Sequence, residues 1–236
     1  MSGRPRRLVL WDIDGTLLHG GSVAREVFAE AVASVTGRPA DDSGVRMSGK
    51  TDPLIALEIM ERSGILEEEA RSVLPKVLLA LEEGLESSAD RLRREGHSHD
   101  GVREVLESLS ADPRVVQSVL TGNLKANARV KLASFGLDRY LDLEVGAYGS
   151  DDQDRTRLIP VALRRVEERR GWRLDPADVW VVGDTPRDLE AARAAGARCL
   201  LVATGGYGFE ELSALSPDAV LPSLEDTDSL LRTLRA

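Results

Sequence analysis

Short apolar runs alternate with segments of helical period along most of this chain. Residues 8–13, 115–120, 143–147, 179–182, 199–203 and 219–221 read as strands. Several are continuously apolar, the pattern of strands covered on both faces. Between them, residues 102–109, 125–135, 158–170, 187–195 and 224–234 place apolar side chains at helical spacing. Regular alternation of this kind predicts a parallel, doubly wound α/β sheet.

One interval breaks the alternation. From Gly20 to Gly96 no strand pattern appears, and helices are predicted over residues 24–35, 53–62 and 67–94. The last stretch contains Pro75 and Gly84, which predicts two or three helices or a kinked one. So much helix is too long for a crossover between neighbouring strands. It predicts an all-helical cap at 20–96 inserted into an α/β core made of 1–19 and 97–236. No internal repeat, low-complexity tract or long linker interrupts this plan.

Composition narrows the classes. The chain has 236 residues, 42% of them hydrophobic, enough for a core plus an insertion. Its 31 Lys and Arg against 40 Asp and Glu give a net charge of −9, which argues against nucleic acid as a partner. The single cysteine, Cys199, lies in an apolar run and reads as a small buried hydrophobe. Arg4-Pro5-Arg6-Arg7 is followed by only four apolar residues before Asp12, too few for a signal-peptide core or a membrane span. A reducing, cytoplasmic location without a membrane partner is therefore expected.

The chemistry sits at strand ends. Leu8-Val9-Leu10-Trp11 ends in Asp12-Ile13-Asp14-Gly15-Thr16, two carboxylates that repel unless a cation or a shared proton compensates them. Thr121-Gly122-Asn123 follows the strand at 115–120, and Gly183-Asp184-Thr185-Pro186-Arg187-Asp188 follows that at 179–182. Each motif alone is often only a turn or a helix cap. In a parallel sheet, however, all carboxyl ends share one edge and the three motifs converge. Asp12, Asp14 and Asp184 then offer hard oxygen ligands suited to Mg²⁺, which would neutralise them and clamp a phosphate oxygen. Thr121, Gly122 and Asn123 offer a hydroxyl and main-chain N–H groups for other phosphate oxygens. Asp188 either orients the metal's water ligands or faces the following helix dipole.

In their order and spacing, Asp12-Ile13-Asp14-Gly15-Thr16, Thr121-Gly122-Asn123 and Gly183-Asp184-Thr185-Pro186-Arg187-Asp188 resemble the first, second and fourth motifs of the haloacid dehalogenase-like hydrolase superfamily. The resemblance spans the chain and is much less specific for substrate than for superfamily. It implies a phosphatase that works in two steps. Asp12 would attack phosphorus and form an aspartyl-phosphate. Asp14, protonated at that stage, would protonate the leaving alkoxide and then activate water. It also implies Mg²⁺ held by the side chains of Asp12 and Asp184 and by the main-chain carbonyl of Asp14. The substrate implied is a small phosphorylated metabolite, with phosphoglycolate one named possibility.

The superfamily's third motif is usually a lysine, and here an arginine must stand in. Lys125 and Lys131 lie too close to Thr121 in sequence, and no lysine follows them. Arg155 and Arg157 are the candidates. Arg155 is favoured, because Pro160 fits only a first helical turn and so leaves Arg155 in the preceding loop. The helical insertion matches the superfamily's helical cap, which would exclude water and supply specificity groups. Within it, Met47-Ser48-Gly49-Lys50-Thr51-Asp52 is the candidate substrate loop, with Lys50 facing a substrate anion and Thr51 or Asp52 capping the next helix. His19 reads as a loop histidine, and His97-Ser98-His99-Asp100 as the return from the cap. A sugar phosphomutase shares the nucleophile and cap type. A phospho-accepting signalling domain and a catalytically silent binding module fit less well.

Overall fold

The computed structural model describes residues 6–235; Arg4 and Pro5 of the basic N-terminal stretch lie outside them. Strand β1 (Arg7–Trp11) is followed by the two-residue strand β2 (Leu18–His19), which pairs antiparallel with β3 (His97–Ser98). Between β2 and β3 lie α1 (Val23–Thr36), α2 (Asp52–Arg62), α3 (Glu67–Ser87) and α4 (Ala89–Glu95). The chain continues through α5 (Val102–Ser110), β4 (Val115–Val119), α6 (Lys125–Ser134), α7 (Leu158–Arg170), β5 (Val179–Gly183) and α8 (Pro186–Ala195). It closes with β6 (Arg198–Val202), α9 (Phe209–Ala214), β7 (Ala219–Leu221) and α10 (Thr227–Arg235).

Strands β4-β1-β5-β6-β7, in that order, form a parallel sheet. Successive side chains of a strand point to opposite faces. Val9 and Trp11 therefore pack with Val105, Leu109, Leu132 and Leu230 of α5, α6 and α10. Leu8 and Leu10 pack on the other face with Ile159, Val166, Leu189 and Leu212 of α7, α8 and α9. The fold is thus a doubly wound α/β sheet with a helical insertion. The chain passes from β1 to β4 on one side and later to β5 on the other. The carboxyl ends of these three strands meet at a topological switch point, where open α/β sheets place their ligands.

Three local outcomes differ from the sequence pattern. Residues 143–147 do not form a strand. Asp142 N donates to Gln117 O (2.8 Å) and Ala147 N to Val119 O (2.9 Å), so five residues span what β4 covers in two, and the intervening segment arches out. Only an isolated bridge, Leu120 with Ala147, remains. Helix α3 runs unbroken through Pro75 and Gly84, and the break comes at Ser88. Pro75 lies on the exposed face, where water can pair with the carbonyl it cannot serve. Gly84 lies where Val27 of α1 comes closest. Helix α9 is a short additional element that the pattern does not announce.

The inserted helices have a core of their own. Val27, Phe28, Ile55, Ile59, Val77, Leu81 and Leu92 pack together, and Leu124, at the start of α6, joins them from the sheet side.

Candidate active site

The turn after β1 sets the site. Asp12 N donates to Val182 O of β5 (2.8 Å), which locks the first carboxylate at the strand's end. The chain then curls back, with the N–H groups of Leu17 and Leu18 both donating to Ile13 O (2.9 and 3.1 Å). Gly15 makes this possible. Its φ of +84° favours glycine, and an added Cβ would lie 2.5 Å from Asp184 Oδ2. Thr16 Oγ1 donates to Asp184 Oδ1 (3.1 Å), and Thr204 Oγ1 donates to Gly15 O (2.6 Å).

On the Asp12 side, negative charge is in surplus. Oxygens of Asp12, Asp184 and Asp188 all lie within 4.8 Å of one another, and all three residues are buried. One guanidinium answers them. Arg155 Nη2 lies 3.1 Å from Asp12 Oδ1, 2.5 Å from Asp188 Oδ1 and 3.0 Å from Leu120 O. Burial raises the Asp12 pKa to about 7; Arg155 opposes the rise, while Asp188 and Asp14 add to it. Burial likewise raises Asp184 to about 8, with Asp12 and Asp188 adding repulsion. Burial works against the charge of Arg155, but Asp12 and Asp188 outweigh it and hold the guanidinium firmly protonated. Buried hard-oxygen donors with uncompensated charge fit a divalent cation. Asp188 is the most committed of the three. Besides accepting from Arg155, it accepts from Thr185 N (3.0 Å) and Oγ1 (2.7 Å) in the capping box of α8.

On the Asp14 side, charge is balanced. Lys131 Nζ donates to both Asp14 oxygens (2.8 and 2.7 Å) and to Asn123 Oδ1 (2.7 Å). Asn123 Nδ2 donates to Asp14 Oδ2 (2.7 Å) and to Thr121 Oγ1 (2.8 Å), tying the second strand-end motif into the same network. Burial disfavours the Asp14 carboxylate, but the Lys131 charge and the bonds from Asn123 and Lys131 outweigh it. The carboxyl is therefore held below its ordinary range. Asp14 at rest is thus on the ionised side, unlike the protonated group that the family resemblance implies for a first step.

The inserted helices close over this edge. A cavity of about 420 Å³ lies between Asp12, Asp14, Thr121, Lys131, Arg155 and Asp184 below and residues of α1, α2 and the loop 47–52 above. Thr51 and Asp52 do not cap α2 with their side chains. They reach across instead. Thr51 Oγ1 donates to Gln153 O (3.1 Å), Asp52 N donates to Gly122 O (2.7 Å), and Asp52 Oδ2 accepts from Leu124 N (2.8 Å) and Asn127 Nδ2 (3.1 Å). Burial raises Asp52 to about 6, against the pull of the Lys131 charge. Lys50 lines the cavity, and its ammonium is paired with Glu58.

The structure therefore brings Asp12, Asp14, Thr121, Gly122, Asn123, Arg155 and Asp184 to one cavity, with Asp188 behind Arg155 and Lys50 in the opposite wall. Arg157 is not among them: its side chain is 72% exposed and faces Asp152 and Asp154. Its 3₁₀ turn (Arg155–Arg157) points Arg155 inward and Arg157 outward. Lys131, set aside for its closeness to Thr121, is the residue that sequence reasoning missed. The signal was its place in an otherwise apolar and amide face: Asn127, Ala128, Lys131 and Leu132 are the buried positions of α6. The chain's three histidines lie together at the β2–β3 pair. His19 stacks on His97 (5.7 Å between ring centres), and His99 meets His97 edge-on (5.5 Å).

A parallel sheet with an acidic switch point and a helical insertion defines a class of hydrolases, and comparison with known proteins agrees. The family model for haloacid dehalogenase-like hydrolase matches residues 6–196, and the chain belongs to that family. Within it, the chain is an enzyme of the phosphatase kind. It is 27% identical over 225 residues to phosphoglycolate phosphatase 1 of Pseudomonas aeruginosa, covering 93% of this chain and 78% of that protein. It is 30% identical over 137 residues to a putative pyrophosphatase PpaX of Caldanaerobacter subterraneus, covering 58% of each. Among solved structures, CbbY of Rhodobacter sphaeroides in complex with phosphate shares the fold. The TM-score is 0.69 at 16% identity, over 94% of this chain and 96% of that one.

Proposed function

We propose that this protein is a Mg²⁺-dependent phosphatase that hydrolyses a small phosphomonoester through an aspartyl-phosphate on Asp12. The observation that carries the reading is the unequal setting of two neighbouring carboxylates. Asp12 is buried among carboxylates with one arginine beside it, whereas Asp14 is held by Lys131 and Asn123 at the cavity wall. In this reading Asp12 attacks phosphorus while Arg155 fixes its orientation. Asp14, ionised in the free site, takes up a proton as the substrate binds, passes it to the leaving oxygen and afterwards takes one from the attacking water. Thr121 and the N–H groups of Gly122 and Asn123 hold phosphate oxygens. A Mg²⁺ ion held by Asp12, Asp184 and the Asp14 carbonyl would supply charge neutralisation for the carboxylates and the phosphate, with Asp188 supporting Arg155 behind them. The unit at 20–96 serves as the cap, with Lys50 in its substrate loop.

Among the described residues no helix is long and apolar enough to cross a membrane. The lone cysteine is buried, which is compatible with the reducing cytoplasm we infer as the location. The names of the relatives put 2-phosphoglycolate on the list of substrates to try. The test is phosphate release from a panel of phosphorylated metabolites with Mg²⁺ and with a chelator. Release that depends on Mg²⁺ is expected for at least one phosphomonoester, and no release from the panel or from 4-nitrophenyl phosphate would contradict the reading.

A further inference from the structure

The charges around the cavity say what kind of leaving group it accepts. Three Lys and Arg side chains line it, Lys50, Lys131 and Arg155, and each is already matched: Lys50 by Glu58, Lys131 by Asp14, Arg155 by Asp12 and Asp188. His19 lines it too, its Nδ1 accepting from Gly21 N (3.0 Å) and its ring stacked on His97. Four carboxylates line it as well, those of Asp12, Asp14, Asp52 and Asp184. Glu58 and Asp188 stand just behind the lining cations they pair with. The phosphate itself has the metal and the strand-end donors to meet it. A second anionic group on the substrate would meet carboxylates, a lysine that already has a partner and a histidine ring held by Gly21 N and His97.

Apart from Lys50, Asp52, Ser48 and the glycines of its loops, the upper wall is apolar. Ala24 and Phe28 of α1, Met47 of the loop and Ile55 of α2 face the cavity, with Leu18 beneath them. Phe28 and Ile55 are buried within the core of the inserted helices, so this wall is fixed by packing. Among the described residues, Lys50 is the one Lys or Arg that the inserted helices and their loops contribute to the cavity lining. Its side chain is 15% exposed, and its partner Glu58 is two helical turns into α2. An ion pair in this half-enclosed position screens Lys50 from any incoming anion.

We propose that the substrate is a phosphomonoester of a neutral alcohol with an apolar body, and that Glu58 enforces this choice by holding Lys50. The proposal rests on the phosphatase reading above. It parts from the relatives' names, which would put a carboxylate in this cavity. Glu58 acts through Lys50 and touches no reacting atom, so it is a specificity-positioning residue. Leaving the charge of a competing ligand without a free partner is one way in which a site discriminates.

The test compares kcat/KM for two substrates, propyl phosphate and 2-phosphoglycolate, in the wild type and in Glu58→Gln. Their ratio is independent of how much of a variant preparation is folded. The wild type is expected to favour propyl phosphate by about tenfold or more, the penalty of placing a carboxylate without a free partner. Glu58→Gln is expected to shift the ratio towards 2-phosphoglycolate by about tenfold, mainly through KM. A wild type that prefers 2-phosphoglycolate overturns the proposal and leaves the phosphatase reading standing. A ratio unmoved by Glu58→Gln overturns the role given to Glu58. A wild type that releases phosphate from neither substrate nor from 4-nitrophenyl phosphate takes down the phosphatase reading, and this proposal with it.

Discussion

The two sides of the β1 terminus, two residues apart in sequence, are built on opposite electrostatic principles. Around Asp12, three buried carboxylates face one guanidinium. Around Asp14, one carboxylate is gripped by an ammonium and an amide. The first side is left short of positive charge, and its carboxyl groups are pushed up to about 7 and 8. The second is complete without help, and its carboxyl is pulled down. In the proposed reading, this shortage of charge is where a cation and a phosphoryl group are received. A completed network marks a group whose position is being held. The same residue type thus meets two environments, which the proposed reading turns into two roles.

The largest effects should come from the side in surplus. Asp12→Asn is expected to cost at least about 10⁴-fold in kcat for any phosphomonoester, as loss of a nucleophile does. Substantial activity in this variant, measured by phosphate release, would put the attacking group elsewhere. Arg155→Ala leaves Asp12 and Asp188 buried without their partner. It should destabilise the fold by about 3–5 kcal/mol in denaturant titration, besides removing most activity. A loss under about 1 kcal/mol would show that the pair is not the buried contact described.

Lys131→Met is expected to lower kcat by about 10–100-fold, with Lys131→Arg recovering part of it, because Asp14 stays in place but loses its grip. Equal activity of Lys131→Met and wild type would erase the distinction between the two sides.

The pH dependence of stability sharpens the contrast. Folded-state pKa values of about 7 for Asp12 and 8 for Asp184 lie above the ordinary 3.8. The metal-free folded state therefore holds protons that the unfolded chain has released. The stability from these groups is fully present below about pH 4 and is lost as pH rises through about 7 to 8. A bound divalent cation offsets that loss. Thermal unfolding should show a larger Mg²⁺-induced rise in Tm at pH 8 than at pH 5.5, and the reverse order would contradict the surplus-charge description. The smallest effect belongs to Arg157→Ala. Its exposed pairs are worth at most about 0.5 kcal/mol, and activity should stay within about twofold of wild type.

Much of this was readable in the sequence, for physical reasons. Continuous apolar runs such as Leu8-Val9-Leu10-Trp11 read as strands covered on both faces, and a parallel sheet then brings their polar ends to one edge. That logic places Asp12, Thr121 and Asp184 together without any knowledge of side-chain contacts. It fails for Lys131, which lies on α6 well past the strand end. On a helix, however, Cα–Cβ bonds tilt back towards the N-terminus, and the lysine's long stem carries its ammonium to Asn123 and Asp14. Choosing between Arg155 and Arg157 depended on the phase of a single 3₁₀ turn, which Asp154 fixes by accepting from Thr156 N. The segment 143–147 has strand composition, but its extra residues between two anchoring hydrogen bonds could not be foreseen from periodicity. Thr51 and Asp52 carry a helix-cap pattern, yet the docking of the inserted helices on Gly122 and Leu124 draws both side chains to the core.

The central claim is that phosphate passes through Asp12 while Asp14 moves protons. It is tested most directly by mixing Asp14→Asn with Mg²⁺ and 4-nitrophenyl phosphate, a substrate whose leaving group needs little protonation. After acid quenching, the phosphorylated peptide is mapped. The account predicts a burst of about one equivalent of nitrophenol followed by a stall, with the phosphoryl group on Asp12. Steady turnover without an adduct, or a phosphoryl group on any other residue, would contradict it.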